Sequence, residues 1–74
     1  MFEKLRIKEH MEISGSDGEH VGTVDKLEND QIKLTRTDSS DRQHHFLAFD
    51  LVDRVEDNRV YLKVPKSEAI AARI

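Results

Sequence analysis

The chain has 74 residues, 36% of them hydrophobic and 36% charged, with a net charge of −3 and no cysteine. This composition excludes a disulfide-stapled fold, thiolate metal sites and Cys nucleophiles. The singly scattered Lys and Arg leave no basic stripe to displace counterions from a nucleic-acid backbone. Apolar runs reach four residues at most, so neither a membrane span nor a signal peptide is expected and a cytoplasmic protein is the default.

A chain this short makes one domain, 1–74, and buries only about 60% of the surface that its unfolded form exposes. The first ten residues carry Phe2, Leu5 and Ile7, which fit a short helical turn covering one end of the domain. A β-structure is expected over about 11–64. Its first part holds all three glycines, Gly15, Gly18 and Gly22. Asp17-Gly18 has the chemistry of a hairpin turn. In "HVGTVDKLE" the apolar residues Val21, Val24 and Leu27 fall three apart, a helical spacing. Gly22, Thr23 and the two valines nevertheless favour a strand, and a bulge at Gly22 would let Val21 and Val24 both face inward.

Asn29-Asp30 and Asp57-Asn58 are two-residue turn pairs that tolerate left-handed backbone angles; the first joins "HVGTVDKLE" to "QIKLT" and the second "LVDRVE" to "RVYLKV". After the first, Ile32 and Leu34 alternate with Gln31, Lys33 and Thr35. After the second, Val60, Leu62 and Val64 alternate with Arg59, Tyr61 and Lys63. Between these hairpins lie a polar loop, 35–45, and the strand "HFLAF". Beyond Pro65, "KSEAIAARI" predicts a helix over about 66–74, with Ser67 as N-cap and Ile70 and Ile74 on one face.

The glycine-rich stretch is not a phosphate loop: its last glycine runs into Thr23 and Val24 of a strand rather than into a helix N-terminus, and Asp17 and Glu19 would repel an anion. The glycines are expected to shape turns and a bulge. Asp38, Ser39, Ser40 and Asp41 offer oxygen ligands but lack the ligand alternation, central Gly and closing Glu of an EF-type loop. His44 and His45, with His10 and His20 as completing ligands, raise a zinc site. Adjacent strand residues point to opposite faces, so the pair cannot chelate one ion unless the backbone bends. No Ser stands in a nucleophile elbow, and so small a barrel has little interior for a substrate. No catalytic residue and no cofactor is expected.

The run "IKEHMEISGSDGEHVGTVDKLENDQIKLT", an Asp-rich loop, "HHF", Asp50 and "VDRVEDNRVYLKV" together resemble the bacterial domain of unknown function 2171, over residues 7–64. That family is similar to the PRC-barrels, small six-stranded β-barrels found in the photosynthetic reaction-centre H subunit and in a ribosome maturation factor. The resemblance implies a protein-docking module rather than an enzyme.

The expected fold is therefore all-β: a small six-stranded antiparallel PRC-barrel-like barrel with short terminal helical segments. The expected role is non-catalytic protein binding or assembly, with a protein partner or a second copy in a homodimer docking on Phe46, Leu47, Phe49, Tyr61, Ile70 and Ile74. These residues, with Phe2 and Leu5, exceed what one small barrel can enclose. Two alternatives stand beside it: a metal- or ligand-sensing domain using the histidines and the loop from Asp38 to Asp41, and an RNA- or ribosome-associated accessory factor.

Overall fold

A computed structural model describes residues 7–39 and 41–74. Its strands are β1 (Glu12–Ser14), β2 (His20–Glu28), β3 (Gln31–Leu34), β4 (Phe46–Ala48), β5 (Val52–Glu56) and β6 (Arg59–Leu62), followed by one helix, α1 (Lys66–Ala72). They form one six-stranded sheet in the order β4-β3-β2-β1-β6-β5.

Both Asn/Asp pairs make the hairpins their chemistry predicts. Asn29 and Asp30 take φ of 50° and 60°, and Asp57 and Asn58 take 50° and 61°. These left-handed pairs give the turn a twist that matches the flanking strands. Glu28 thus faces Gln31 and Glu56 faces Arg59. In β2 the alternation is interrupted: Ile13 faces Gly22 but Ser14 faces His20, so Val21 is the extra residue of a bulge beside Gly22. Val21 and Val24 are consequently both buried.

Two features depart from the expected antiparallel barrel. The first is that β1 and β6 run parallel, Ile13 facing Val60, so the sheet is mixed. The chain reaches β6 only after crossing from β2 through β5, and it returns in the same direction as β1. The second is that the barrel does not close by hydrogen bonding. Its edges, β4 and β5, are joined by only a 3-10 turn at Phe49–Leu51, and no ladder connects them among the described residues. A connection of three residues reaches about 14 Å at most. The sheet must therefore curl until one end of each edge lies near the other.

The curled sheet wraps a core of Ile7, Met11, Ile13, Val21, Val24, Ile32, Leu34, Leu47, Val52, Val60 and Leu62, with Ala69 of α1 fully enclosed. Ile32 and Leu34, and Val60 and Leu62, point inward as their alternation requires. Helix α1 starts at Lys66 after Pro65, and Ser67 does not cap it. The Lys66 amide instead donates to Asp17 Oδ1 (3.4 Å), which brings the turn between β1 and β2 against the start of the helix. Beyond α1, Ile74 exchanges backbone hydrogen bonds with Phe46 (2.9 and 3.0 Å) and so lines the outer edge of β4.

Candidate functional site

The bulge at Val21 decides what the outer face of the sheet carries. With Val21 turned inward, His20 emerges on the same side as Thr23. Across the ladders, Glu12 faces Thr23 on one side and Arg59 on the other. His20 Nδ1 lies 2.8 Å from Glu12 Oε2, and Nε2 lies 2.6 Å from Asp38 Oδ2. The Thr23 hydroxyl donates to the same Asp38 oxygen at 2.6 Å, and Arg59 pairs with Glu12 Oε1 at 2.7 Å. Five side chains from β1, β2, β6 and the loop between β3 and β4 thus form one network.

A carboxylate at each ring nitrogen favours the doubly protonated imidazole, which alone can donate to both. Partial burial opposes that charge, but hydrogen bonds to Glu12 and Asp38 and their negative charges outweigh it, so the His20 pKa is raised. The Glu12 pKa is lowered, chiefly by the His20 hydrogen bond. That of Asp38 is lowered chiefly by the Thr23 hydroxyl, with His20 and the charge of Lys66 adding to it. The side chains of His20 and Glu12 are 44% and 37% exposed, so solvent screens each pair and no single contact contributes much.

Further along the loop, Asp41 accepts from the Ser39 hydroxyl (2.6 Å) and from His45 Nε2 (2.8 Å). These two bonds, that of Ser39 first, hold its carboxyl far below the usual carboxylate range. The other His45 nitrogen, Nδ1, lies 3.3 Å from the Ile74 carbonyl, whereas His44 Nδ1 lies 2.9 Å from that of Leu34. The two rings are thus turned to different partners. His20 has its two carboxylates on opposite ring edges, a geometry in which one ion cannot take both. Among the described residues no three His, Asp or Glu side chains are grouped to hold a metal.

The six residues expected to face a partner are not brought together as one patch. Leu47 is fully buried and belongs to the core rather than to any surface. Phe49 and Ile70 are half-buried against that core. Phe46 and Ile74 adjoin through their backbone pair, and Ile74 is 71% exposed. Tyr61 lies in the other half of the sheet, with the Arg54 guanidinium 4.2 Å from its ring centroid. That pair borders an open groove of about 440 Å³ reaching Lys63 and the turn at Gly15, Ser16 and Gly18. Phe2, Leu5 and Ser40 lie outside the described residues.

The glycines divide by role. Gly18 takes φ of 81° in its turn. Gly15 is buried under the start of α1, whereas Gly22 lies inside β2 next to the bulge rather than in a turn.

Sequence reasoning missed the network around His20, having considered His20 only as a completing zinc ligand and Asp38 only for calcium. The turn at 15–19, which returns the chain antiparallel, was a signal that Glu12 and His20 are neighbours. Nothing in the linear order placed Asp38 beside them.

Among the described residues the fold is a small, mostly-β domain with a curled six-stranded mixed sheet and one short helix. The chain belongs to a family described as uncharacterised protein conserved in bacteria, DUF2171, whose model matches residues 7–70. No curated protein and no solved structure matches it. Among the described residues no helix is long and apolar enough to cross a membrane.

Proposed function

We propose that this chain is a non-catalytic, cytoplasmic protein-binding or assembly module, and that a partner's extended segment adds to the sheet at β5. The likeness of its strand pattern to the PRC-barrels, which dock proteins, supports the class. The observation that carries the reading is the unequal treatment of the two sheet edges. Ile74 pairs with the outer edge of β4, whereas among the described residues β5 has β6 as its only ladder partner.

In a two-residue hairpin the closing pair, here Glu56 and Arg59, exchanges both backbone bonds. The N–H and C=O of the next residue, Val55, therefore turn away from β6. The bulge at Asp53 and the charges of Arg54 and Glu56 guard such an edge against indiscriminate pairing. They also set a requirement, that an added strand present opposite charges across from them. The Arg54–Tyr61 stack beside the edge supplies a planar, amphipathic anchor of the kind enriched at the centre of interfaces.

A photo-crosslinking residue at Glu56 should capture a protein in the native host, and one at Lys26 on β2 should not. Val55→Pro removes the outward N–H while sparing the bonds to β6, as proline is tolerated on strand edges, and it should abolish capture in a chain that remains folded. Equal capture at both positions, or capture indifferent to the proline, would overturn the reading.

A further inference from the structure

The loop between β3 and β4 is tied to the sheet through Asp38, and both side chains that bind Asp38, His20 and Thr23, stand on β2. One of the two ties depends on a titratable proton. His20 can donate to Asp38 and Glu12 together only while both ring nitrogens carry hydrogen. A neutral imidazole keeps one N–H and turns a lone pair toward the other carboxylate, which converts an attraction into a repulsion. We propose that His20 is a pH-operated latch on the loop segment at 35–39, holding it against the sheet while the ring is charged and loosening it when the ring is neutral.

The surrounding charges determine where the change is felt. Glu12 on β1 keeps Arg59 of β6 when the ring loses its proton, so the sheet side of the network stays paired. Asp38 keeps the Thr23 hydroxyl and the more distant charge of Lys66 on α1. The loop is therefore loosened rather than expelled, and the effect has the size of one exposed ion pair. Its sign follows from the direction of the His20 shift. Because the folded pKa is raised above the ordinary imidazole value of about 6.5, the stabilisation is complete below that value. It is lost as pH rises through the folded pKa. Asp41 and His45, further along the chain, pair with each other and not with this network.

The latch stands apart from the proposed docking edge and is tested on the free protein. Amide-resolved NMR from about pH 5 to about pH 8.5, spanning the imidazole range, reads loop order at Thr37, Asp38 and Ser39 and the ionisation of His20 in the same samples. Loop opening should increase about two- to fivefold across the His20 titration, the effect of losing one exposed ion pair, while β3 amides stay unchanged. His20→Arg stays charged and can bridge both carboxylates, so it should keep the loop closed across the range. His20→Gln should show the looser loop at every pH. Loop order that ignores the His20 titration, or that falls equally in His20→Arg, would overturn the proposal.

Discussion

Gly15 passes so close to the first turn of α1 that a Cβ on it would sit 2.6 Å from the Lys66 amide nitrogen, 2.7 Å from Asp17 Oδ1 and 3.0 Å from the Pro65 carbonyl carbon. The contact joins the turn after β1 to the start of the helix and leaves no space for any side chain. At Gly22 a Cβ would meet only the tip of Leu34, at 3.6 Å, and its φ lies outside the left-handed region.

Gly15→Ala should therefore lower stability by about 1–3 kcal/mol, the range for overpacking a site that cannot relax. Gly22→Ala should stay within about 0.5 kcal/mol, because the space exists and alanine costs an extended strand nothing. Urea unfolding of the two variants against the parent would decide. Equal costs would mean that the helix start yields freely.

The hairpin turns give a second expectation. Asn58 sits at φ of 61°, where a β-branched side chain is strained and glycine is not. Asn58→Val should cost about 1–2 kcal/mol. Asn58→Gly should be tolerated, since it exchanges strain in the fold for freedom in the unfolded chain. Thermal melts compare the pair directly. A harmless Asn58→Val would argue against a left-handed turn there.

These elements also show what could be read from the sequence and why the rest could not. Both Asn/Asp turns and the alternating strands around them are local, since two residues suffice to set a left-handed pair and a period of two assigns each face. The inward placement of both Val21 and Val24 was legible from the glycine and β-branched residues beside them, although the extra residue of the bulge is Val21. The parallel pairing of β1 with β6 was not legible, because it joins segments more than forty residues apart with no turn between them to fix direction. "HFLAF" reads as one strand with two apolar faces, yet the chain leaves the ladder at Ala48 and turns at Phe49, which folds back onto the core. The Asp38 contact to His20 depends on how a polar loop lies over the sheet, and loop composition does not determine that.

A third prediction concerns acid. Both Asp38 and Glu12 have lowered folded pKa values, so their contributions are present above the ordinary carboxylate range and are lost as pH falls through the folded values. Because the Thr23 hydroxyl is the largest cause of the Asp38 shift, Thr23→Val should raise the Asp38 pKa and move its share of acid unfolding to higher pH. Glu12 should be nearly unaffected. Carboxyl-carbon NMR titration resolves the two groups. An unchanged Asp38 titration would mean that His20 alone sets it.

The fourth prediction tests what covers the apolar surface. Phe46, Ile70 and Ile74 were expected to need a partner, but α1 already places Ala69 fully inside the core, packs Ile70 against it and delivers Ile74 to the edge of β4. A chain ending at Val64 would lose these contacts together. It would uncover the core where Ala69 sits, free the β4 edge at Phe46 and remove the helix start that confines Gly15. Lost apolar burial and two unpaired edge groups suggest destabilisation by about 2–4 kcal/mol. An exposed apolar patch beside an open strand edge also favours self-association. Light scattering should therefore show a larger mean mass for the shortened chain than for the intact one at equal concentration, with a lower melting temperature. Gly15→Ala, costly in the intact chain, should cost less in the shortened one, because the Pro65 and Lys66 backbone atoms are gone and the remaining contact, the Asp17 carboxylate, is a side chain no longer held by the Lys66 amide. If the shortened chain instead matches the intact one in mass and melting, α1 is not part of the cooperative core, and the cover for that surface must be sought in a partner.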